Sequence, residues 1–197
     1  LRDGDLQRIV DALPAGAIIV FDEVYYHFIT EPERPNALAR VIDGRPIIIT
    51  HSFSKAYGLA GCRLGYGIAP PEIIREVSRY RVPFHINNVT TEAGLAALKD
   101  SDHLDATVAT VVDGRRWLGE ALAQLGVETW PSQGNFVLFR TKHPALAISE
   151  ELQKRGVIVR PMNMFYLPDH LRVSVGRAED NQRFIEALAD AMSAIAD

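Results

Sequence analysis

The sequence predicts an α/β fold with a doubly wound, mostly parallel sheet, followed by a smaller α+β domain. Two short apolar runs, at residues 17–21 and 47–50, have the length and composition of buried parallel strands. Apolar residues at helical spacing surround them, and such alternation of strand and helix is typical of doubly wound sheets. After Gly126 several short strands follow one another, and this change of pattern predicts the second domain.

The remaining elements follow from periodicity and from residues that begin or end them. Residues 6–13 have helical spacing, and Pro14-Ala15-Gly16 ends the pattern. Residues 31–46 read as a loop with a short helix around residues 37–41. The predicted elements that follow are a strand at 64–69, helices at 73–80, 87–99 and 104–125, strands at 127–130, 136–140, 157–160 and 171–175, and helices at 144–155 and 179–195.

The domain boundary is expected at the start of the long helix. Residues 1–104 would form part of a larger domain, and residues 105–197 the smaller domain together with that helix. The chain begins with Leu1 in a helical pattern, and we therefore expect it to be the later part of a longer protein.

Composition excludes several classes of function. The net charge of −4 gives no reason to expect nucleic acid or an anionic membrane as a partner. No apolar run approaches the roughly 20 residues that span a bilayer. The single cysteine excludes an internal disulfide, and the six histidines lack metal-ligand spacing, so no metal is predicted. The inventory fits a reducing cytoplasm.

Lys55 is the first candidate for covalent chemistry. Of the four lysines, it alone follows a buried strand and lies among serine and glycine residues. A lysine whose amine loses its proton can form an imine with a carbonyl cofactor such as pyridoxal phosphate (PLP). Ser52 and Ser54 can donate hydroxyl groups to the cofactor's phosphate, and Arg63 can pair with it in bidentate fashion. We therefore predict a PLP site here.

Asp22 and Tyr25 supply groups for the other end of such a cofactor. Asp22 ends the first strand, where ligands bind in open α/β sheets. Its carboxylate can pair with the protonated ring nitrogen of PLP, and Tyr25 can bond to the phenolic oxygen. An aspartate after a strand is more often a helix cap or a solvated loop residue. The combination with Lys55 and Arg63 is much harder to obtain by chance.

Two arginines at strand ends in the second domain are candidates for binding an anionic substrate. Arg160 ends the run Val157-Ile-Val-Arg160, and Arg172 opens Leu171-Arg-Val-Ser-Val175. For Arg160 an arginine that merely extends into solvent is an equally good interpretation. Other chemistries are disfavoured, because the chain has neither a phosphate-binding G-x-x-x-x-G-K-[ST] loop nor the G-x-S-x-G elbow of hydrolases.

These motifs resemble those of the fold-type I PLP-dependent aminotransferases of class I and II. Asp22-Glu-Val-Tyr25 is similar to that family's D-E-x-Y segment, and residues 52–66 are similar to its S-x-S-K-x-x-x-x-x-G-x-R-x-G-Y signature. The resemblance implies that Lys55 is the Schiff-base lysine and proton shuttle. It likewise implies that Asp22, Tyr25, Ser52, Ser54 and Arg63 bind the cofactor, and that Arg172 binds a substrate carboxylate.

Within this family the chain is most similar to the histidinol-phosphate aminotransferases, which belong to histidine biosynthesis. The similarity rests on Gly156-Val-Ile-Val-Arg160, on residues 171–184 and on Pro131-Ser-Gln-Gly-Asn135. It implies amino transfer between glutamate and imidazole-acetol phosphate in a cytoplasmic homodimer with a shared active site. Arg160, Arg172 and Asn135 would then bind substrate.

Other functions stay open at this stage. Threonine-phosphate decarboxylases and other class I and II aminotransferases are similar in the same motifs. Aminotransferase-like domains also act as non-catalytic effector-binding modules of transcription regulators. The absence of a basic patch or a helix-turn-helix pattern disfavours this last interpretation.

Overall fold

The computed structural model describes residues 1–196, and within it the chain forms two compact units. The first unit comprises Leu1–Asp105, and the second begins at Ala106. The boundary lies inside a long helix, α5 (Ser101–Gln124). The domain boundary that the sequence predicted, between residues 104 and 105, stays a prediction.

The first unit is built on a three-stranded sheet of β1 (Ile19–Asp22), β2 (Ile47–Ser52) and β3 (Gly65–Ile68), in that order. β1 and β2 are parallel, and Asp22 is the register partner of Thr50. β2 and β3 are antiparallel, a pairing that the alternation of elements did not predict. The parallel pair brings the ends of β1 and β2 to the same edge of the sheet.

Four helices complete this unit besides the start of α5. Two of them begin at asparagine caps, since the Asn36 side chain accepts a hydrogen bond from the Ala39 N–H and the Asn87 side chain accepts one from the Thr90 N–H. These bonds satisfy amides that the helix itself leaves unpaired. The helices are α1 (Asp3–Asp11), α2 (Ala37–Ile42), α3 (Pro71–Ser78) and α4 (Asn88–Lys99).

The core of the first unit lies where α1 and α2 pack on one face of the sheet. Leu6 and Val10 of α1 meet Ile47 and Ile49 of β2, and all four are almost fully buried. β1 was expected to be buried on both faces, but within residues 1–196 Val20 remains 64% exposed. The prediction was wrong on this point because α1 and α2 cover only one face of the strand.

The second unit has an antiparallel sheet of four strands in the order β4-β5-β7-β6. One predicted strand, residues 157–160, is wrong in its bounds, because only Arg160–Pro161 pairs with a neighbour. The elements are β4 (Glu128–Trp130), β5 (Phe136–Arg140), α6 (Ala145–Lys154), β6 (Arg160–Pro161), β7 (Leu171–Ser174) and α7 (Ala178–Ala196).

Three helices cover this second sheet and form the larger of the two cores. Leu118 of α5, Phe139 of β5, Ile148 of α6, Leu171 of β7 and Leu188 of α7 are all fully buried. Each comes from a different element, so the core joins the whole unit. Among the residues described, no helix is long and apolar enough to cross a membrane.

Candidate active site

Asp22 ends β1 and is held in place by two hydrogen bonds to one carboxylate oxygen. The Thr50 hydroxyl donates to Asp22 Oδ1 at 2.9 Å, and the Val24 N–H donates to the same oxygen at 3.2 Å. Asp22 is exposed, whereas its register partner Thr50 is half-buried. The carboxylate is therefore oriented by the neighbouring strand and remains accessible to a ligand.

Ser52 ends β2, and its hydroxyl organises the turn that follows. Ser52 Oγ donates to Ser54 Oγ at 2.8 Å and accepts from the Ser54 N–H at 3.0 Å. Both hydroxyl groups therefore lie together in one turn, directly before Lys55. Such a cluster of small donors suits a phosphate group.

Buried residues on either side of Lys55 anchor the turn in which it lies. Phe53 and Ala56 are both buried, and the Phe53 N–H donates to the Leu64 carbonyl at 3.0 Å. Gly58 closes the turn at φ +69°, a conformation that glycine adopts without strain, and its N–H donates to the Lys55 carbonyl at 3.0 Å. The backbone at Lys55 is therefore fixed while its side chain stays half-exposed.

Lys55 and Tyr25 meet across the two strand ends. Lys55 Nζ lies 5.9 Å from the centroid of the Tyr25 ring, within the range of a cation–π contact. Within residues 1–196 Lys55 forms no ion pair with a carboxylate. The predicted site residues that follow β1 and β2 therefore lie together at one edge of the sheet.

Arg63 lies on the same glycine-rich segment, and among the described residues no hydrogen bond joins it to Ser52 or Ser54. It adopts φ +50°, and its guanidinium donates to the Ala60 carbonyl at 2.9 Å. Its side chain is exposed and, among the residues described, has no carboxylate partner. The guanidinium is therefore available to an anion.

In the second unit Arg160 and Arg172 are register partners on the antiparallel strands β6 and β7. Two like charges directly opposite each other destabilise a strand pair unless an anion or a ring compensates them. The Arg172 guanidinium lies 5.0 Å from the centroid of the Phe136 ring, and that of Arg160 lies 5.8 Å from the centroid of the Phe165 ring. Arg172 Nε is buried, with no hydrogen-bond partner among the described residues. The pair is suited to bind an anionic group.

Asn135 precedes β5 in the same unit and continues the pairing of β5 with β7. Its carbonyl accepts a hydrogen bond from the Val175 N–H at 2.9 Å, and its side chain is half-buried. The loop before it is held by Arg115, whose guanidinium donates to the Gly134 carbonyl at 2.9 Å. Burial lowers the pKa of the Arg115 guanidinium.

Two features near Asp22 were missed at the level of sequence. Thr50 orients the Asp22 carboxylate, and His51 pairs with Glu23 at 2.9 Å directly behind the strand ends. The sequence carried no local signal for either contact, because residues 22 and 50 become neighbours only through the parallel register of β1 with β2.

Comparison with known proteins identifies the class to which this fold and site belong. The model of the family "Aminotransferase class I and II" matches residues 1–188, and the chain therefore belongs to that family. The predicted fold class is thereby confirmed: an α/β fold of the fold-type I PLP-dependent transferases, with part of a large domain and a small α+β domain.

Individual relatives indicate a narrower group within this family. The chain is 42% identical over 190 residues to the histidinol-phosphate aminotransferase of Symbiobacterium thermophilum. The aligned region covers 96% of this chain and 52% of the relative. The crystal structure of histidinol-phosphate aminotransferase from Sinorhizobium meliloti in complex with pyridoxal-5'-phosphate is 27% identical, with a TM-score of 0.91 over 99% of this chain and 54% of that one.

A decarboxylase also matches, with a lower TM-score. L-threonine-O-3-phosphate decarboxylase from Porphyromonas gingivalis is 26% identical, with a TM-score of 0.78 over 98% of this chain and 60% of that one. The chain spans about half the length of the curated relatives it matches.

Proposed function

We propose that this chain carries the PLP-binding lysine and substrate-binding arginines of a histidinol-phosphate aminotransferase. The observation that carries the proposal is the meeting of Lys55 and Tyr25, 5.9 Å from Nζ to ring centroid, beside Asp22 and Ser52 at the ends of two parallel strands. The identity of 42% to a histidinol-phosphate aminotransferase supports the choice of substrate. The reaction would move an amino group between glutamate and imidazole-acetol phosphate.

The side chains at the strand ends fit PLP in kind and in order. Lys55 would hold the cofactor covalently through Nζ, and Asp22 would keep a proton on its ring nitrogen. Tyr25 would bond to the phenolic oxygen, while Ser52, Ser54 and Arg63 would bind the phosphate. When bound, PLP supplies an electron sink that makes the substrate's Cα proton acidic.

Lys55 would also have a second role, at the Cα proton of the substrate. Its Nζ would be a candidate base for the Cα proton of the substrate. The backbone hydrogen bonds of the turn at residues 53–58 fix the point from which that side chain extends. One side chain would therefore both hold the cofactor covalently and accept the Cα proton of the substrate.

Arg160, Arg172 and Asn135 would bind the substrate. Glutamate offers carboxylates and the second substrate offers a phosphate, and guanidinium groups bind both in bidentate geometry. The buried Nε of Arg172, without a partner among the described residues, supports its role in binding an anion. We further propose a cytoplasmic homodimer, on the similarity to this group of enzymes.

Substitution of the lysine tests the proposal directly. In the protein that contains this chain, Lys55→Ala should abolish the visible absorbance band of bound PLP and the amino transfer from histidinol phosphate to 2-oxoglutarate. Lys99→Ala, at the exposed end of α4, is the matched control and should leave both unchanged. An unaltered absorbance band in the Lys55 variant would overturn the assignment.

The choice of substrate needs a separate assay. Release of carbon dioxide from threonine phosphate, without amino transfer from histidinol phosphate, would instead support the decarboxylase. Binding of PLP without turnover of any amino acid would support an effector-binding module. Neither alternative is favoured, because the curated relatives at about 40% identity are histidinol-phosphate aminotransferases.

A further inference from the structure

A contact between the Glu23 carboxyl and the His51 imidazole lies next to the residues proposed to hold PLP. His51 Nε2 lies 2.9 Å from Glu23 Oε2, and the two side chains are only 12% and 10% exposed. Glu23 follows Asp22, and His51 precedes Ser52. The pair therefore joins the two backbone segments that present the groups for the ring and for the phosphate of the cofactor.

The alternation of side chains along a strand places this pair on the opposite face of β2. Thr50 and Ser52 point to one face of the strand, and His51 between them points to the other. The imidazole of His51 stacks on the ring of Tyr66, its register partner in β3, with 5.0 Å between centroids. A ligand on the face that Thr50 and Ser52 present would therefore lie across β2 from this pair.

The backbone and the neighbouring rings hold the pair rigidly. The Glu23 N–H donates to the Thr50 carbonyl at 2.9 Å and extends the parallel ladder by one bond beyond β1. The Tyr26 ring meets the imidazole edge-on, with centroids 5.6 Å apart. This backbone bond and the largely buried side-chain pair thereby join the end of β1 to β2, in addition to the Thr50–Asp22 hydrogen bond.

The energetic cost of such a pair makes its position informative. Burial raises the pKa of the Glu23 carboxyl, and the charge and hydrogen bond of His51, with the charge of Arg34, oppose that effect. A buried carboxylate is costly unless it is paired, and an apolar pair of similar volume often stabilises a protein as much or more. A role in fixing geometry accounts for a carboxyl–imidazole pair at this place.

We propose that Glu23 and His51 are positioning residues that hold the ends of β1 and β2 in the spacing PLP requires. This inference rests on the proposed function, because the cofactor is the ligand whose ring and phosphate groups that spacing must match. Each residue is expected to contribute to PLP affinity through the other, since neither touches the cofactor.

The test measures the dissociation constant of PLP for the protein containing this chain and for its Glu23→Gln, His51→Gln and doubly substituted variants. Each single substitution should weaken PLP binding on the order of tenfold, the lower end of the effect that outer partners have at metal sites. The double substitution should weaken binding no more than the worse single one. If one of the two single variants fails to fold, the PLP affinity of the other still tests the proposal.

An ion pair elsewhere in the same unit is the matched control. Arg40 bonds to Asp3 at 2.7 Å and joins α2 to α1, away from the strand ends. Asp3→Asn should lower the melting temperature and leave PLP affinity unchanged. The inference would be overturned if the Glu23 and His51 variants bound PLP as tightly as the unsubstituted protein. It would also be overturned if the effects of the two single substitutions simply added in the double variant. Failure of the unsubstituted protein to bind PLP would overturn the proposed function itself.

Discussion

At the residue scale, the charge state of a few half-buried side chains near β2 depends on their neighbours. His27 packs edge-on against Tyr57 and Tyr26, with ring centroids 5.2 and 5.9 Å apart. Burial lowers the pKa of the His27 imidazole, and the charge of His51 lowers it further. The same neighbourhood raises the pKa of the Tyr66 phenol, mainly through burial. Neutral forms of both side chains are therefore favoured in the folded protein.

The shift at His27 predicts a dependence of stability on pH. Because its pKa is lower in the folded state, the unfolded chain binds more protons between that pKa and the ordinary value of about 6.5, and stability falls as the pH decreases through this range. His27→Gln should remove that contribution, so the variant should lose less stability than the unsubstituted protein between pH 8 and pH 5.5. Urea unfolding at both values measures the difference. An imidazole pKa at or above 6.5 by NMR titration would contradict the prediction.

At the scale of elements, the pairing of β2 with β3 depends on a close approach of the two backbones. Gly65 opens β3 opposite Ser52, and a Cβ atom built on it would lie 2.7 Å from the carbonyl oxygen of His51. A real Cβ does not approach a backbone oxygen so closely. The strand can therefore pair in this register only with glycine at residue 65.

Substitution of that glycine tests the register. Gly65→Ala should destabilise the protein by about 1–3 kcal/mol, the usual cost of forcing a methyl group into a packed site. Gly61→Ala is the matched control, because a Cβ there would meet no atom within 4 Å, and it should change stability by about 0.5 kcal/mol or less. Chemical unfolding of both variants measures these values. Equal stability of the two variants would show that β3 pairs differently.

At the scale of the whole molecule, two separate cores account for two compact units. In the first, α1 and α2 pack on one face of the sheet, and in the second α5, α6 and α7 pack around an antiparallel sheet. Fully buried side chains such as Leu152 and Leu188 come from every helix of the second unit. The stability of that unit should therefore depend on burial more than on helix propensity.

Two leucines of α6 separate burial from propensity. Leu152 is fully buried and Leu146 is 54% exposed, yet both belong to the same helix. Leu152→Ala should cost about 2–5 kcal/mol because it leaves a cavity in the core. Leu146→Ala should cost about 0.5 kcal/mol or less. Denaturant unfolding of the pair checks this, and similar losses in both variants would contradict the packing of α6.

Periodicity and motif spacing in the sequence alone determined the fold class, the family resemblance and the order of most elements. Helix and strand signals are local, so the long helix, predicted at residues 104–125, and the strand at residues 136–140 could be recognised from their own side chains. The set Asp22, Tyr25, Lys55 and Arg63 was recognisable for the same reason, because each chemistry-bearing residue follows a readable element or glycine turn.

Only the tertiary structure decided which of these residues meet and which side chains support them. The pairing direction of β3, the one-sided burial of β1 and the shortness of β6 depend on contacts between residues distant in sequence. The Glu23–His51 pair is of the same kind, since its members lie 28 positions apart in the sequence and only the parallel register of β1 with β2 makes them neighbours. Local patterns contain no information on register, and register is what places one side chain behind another.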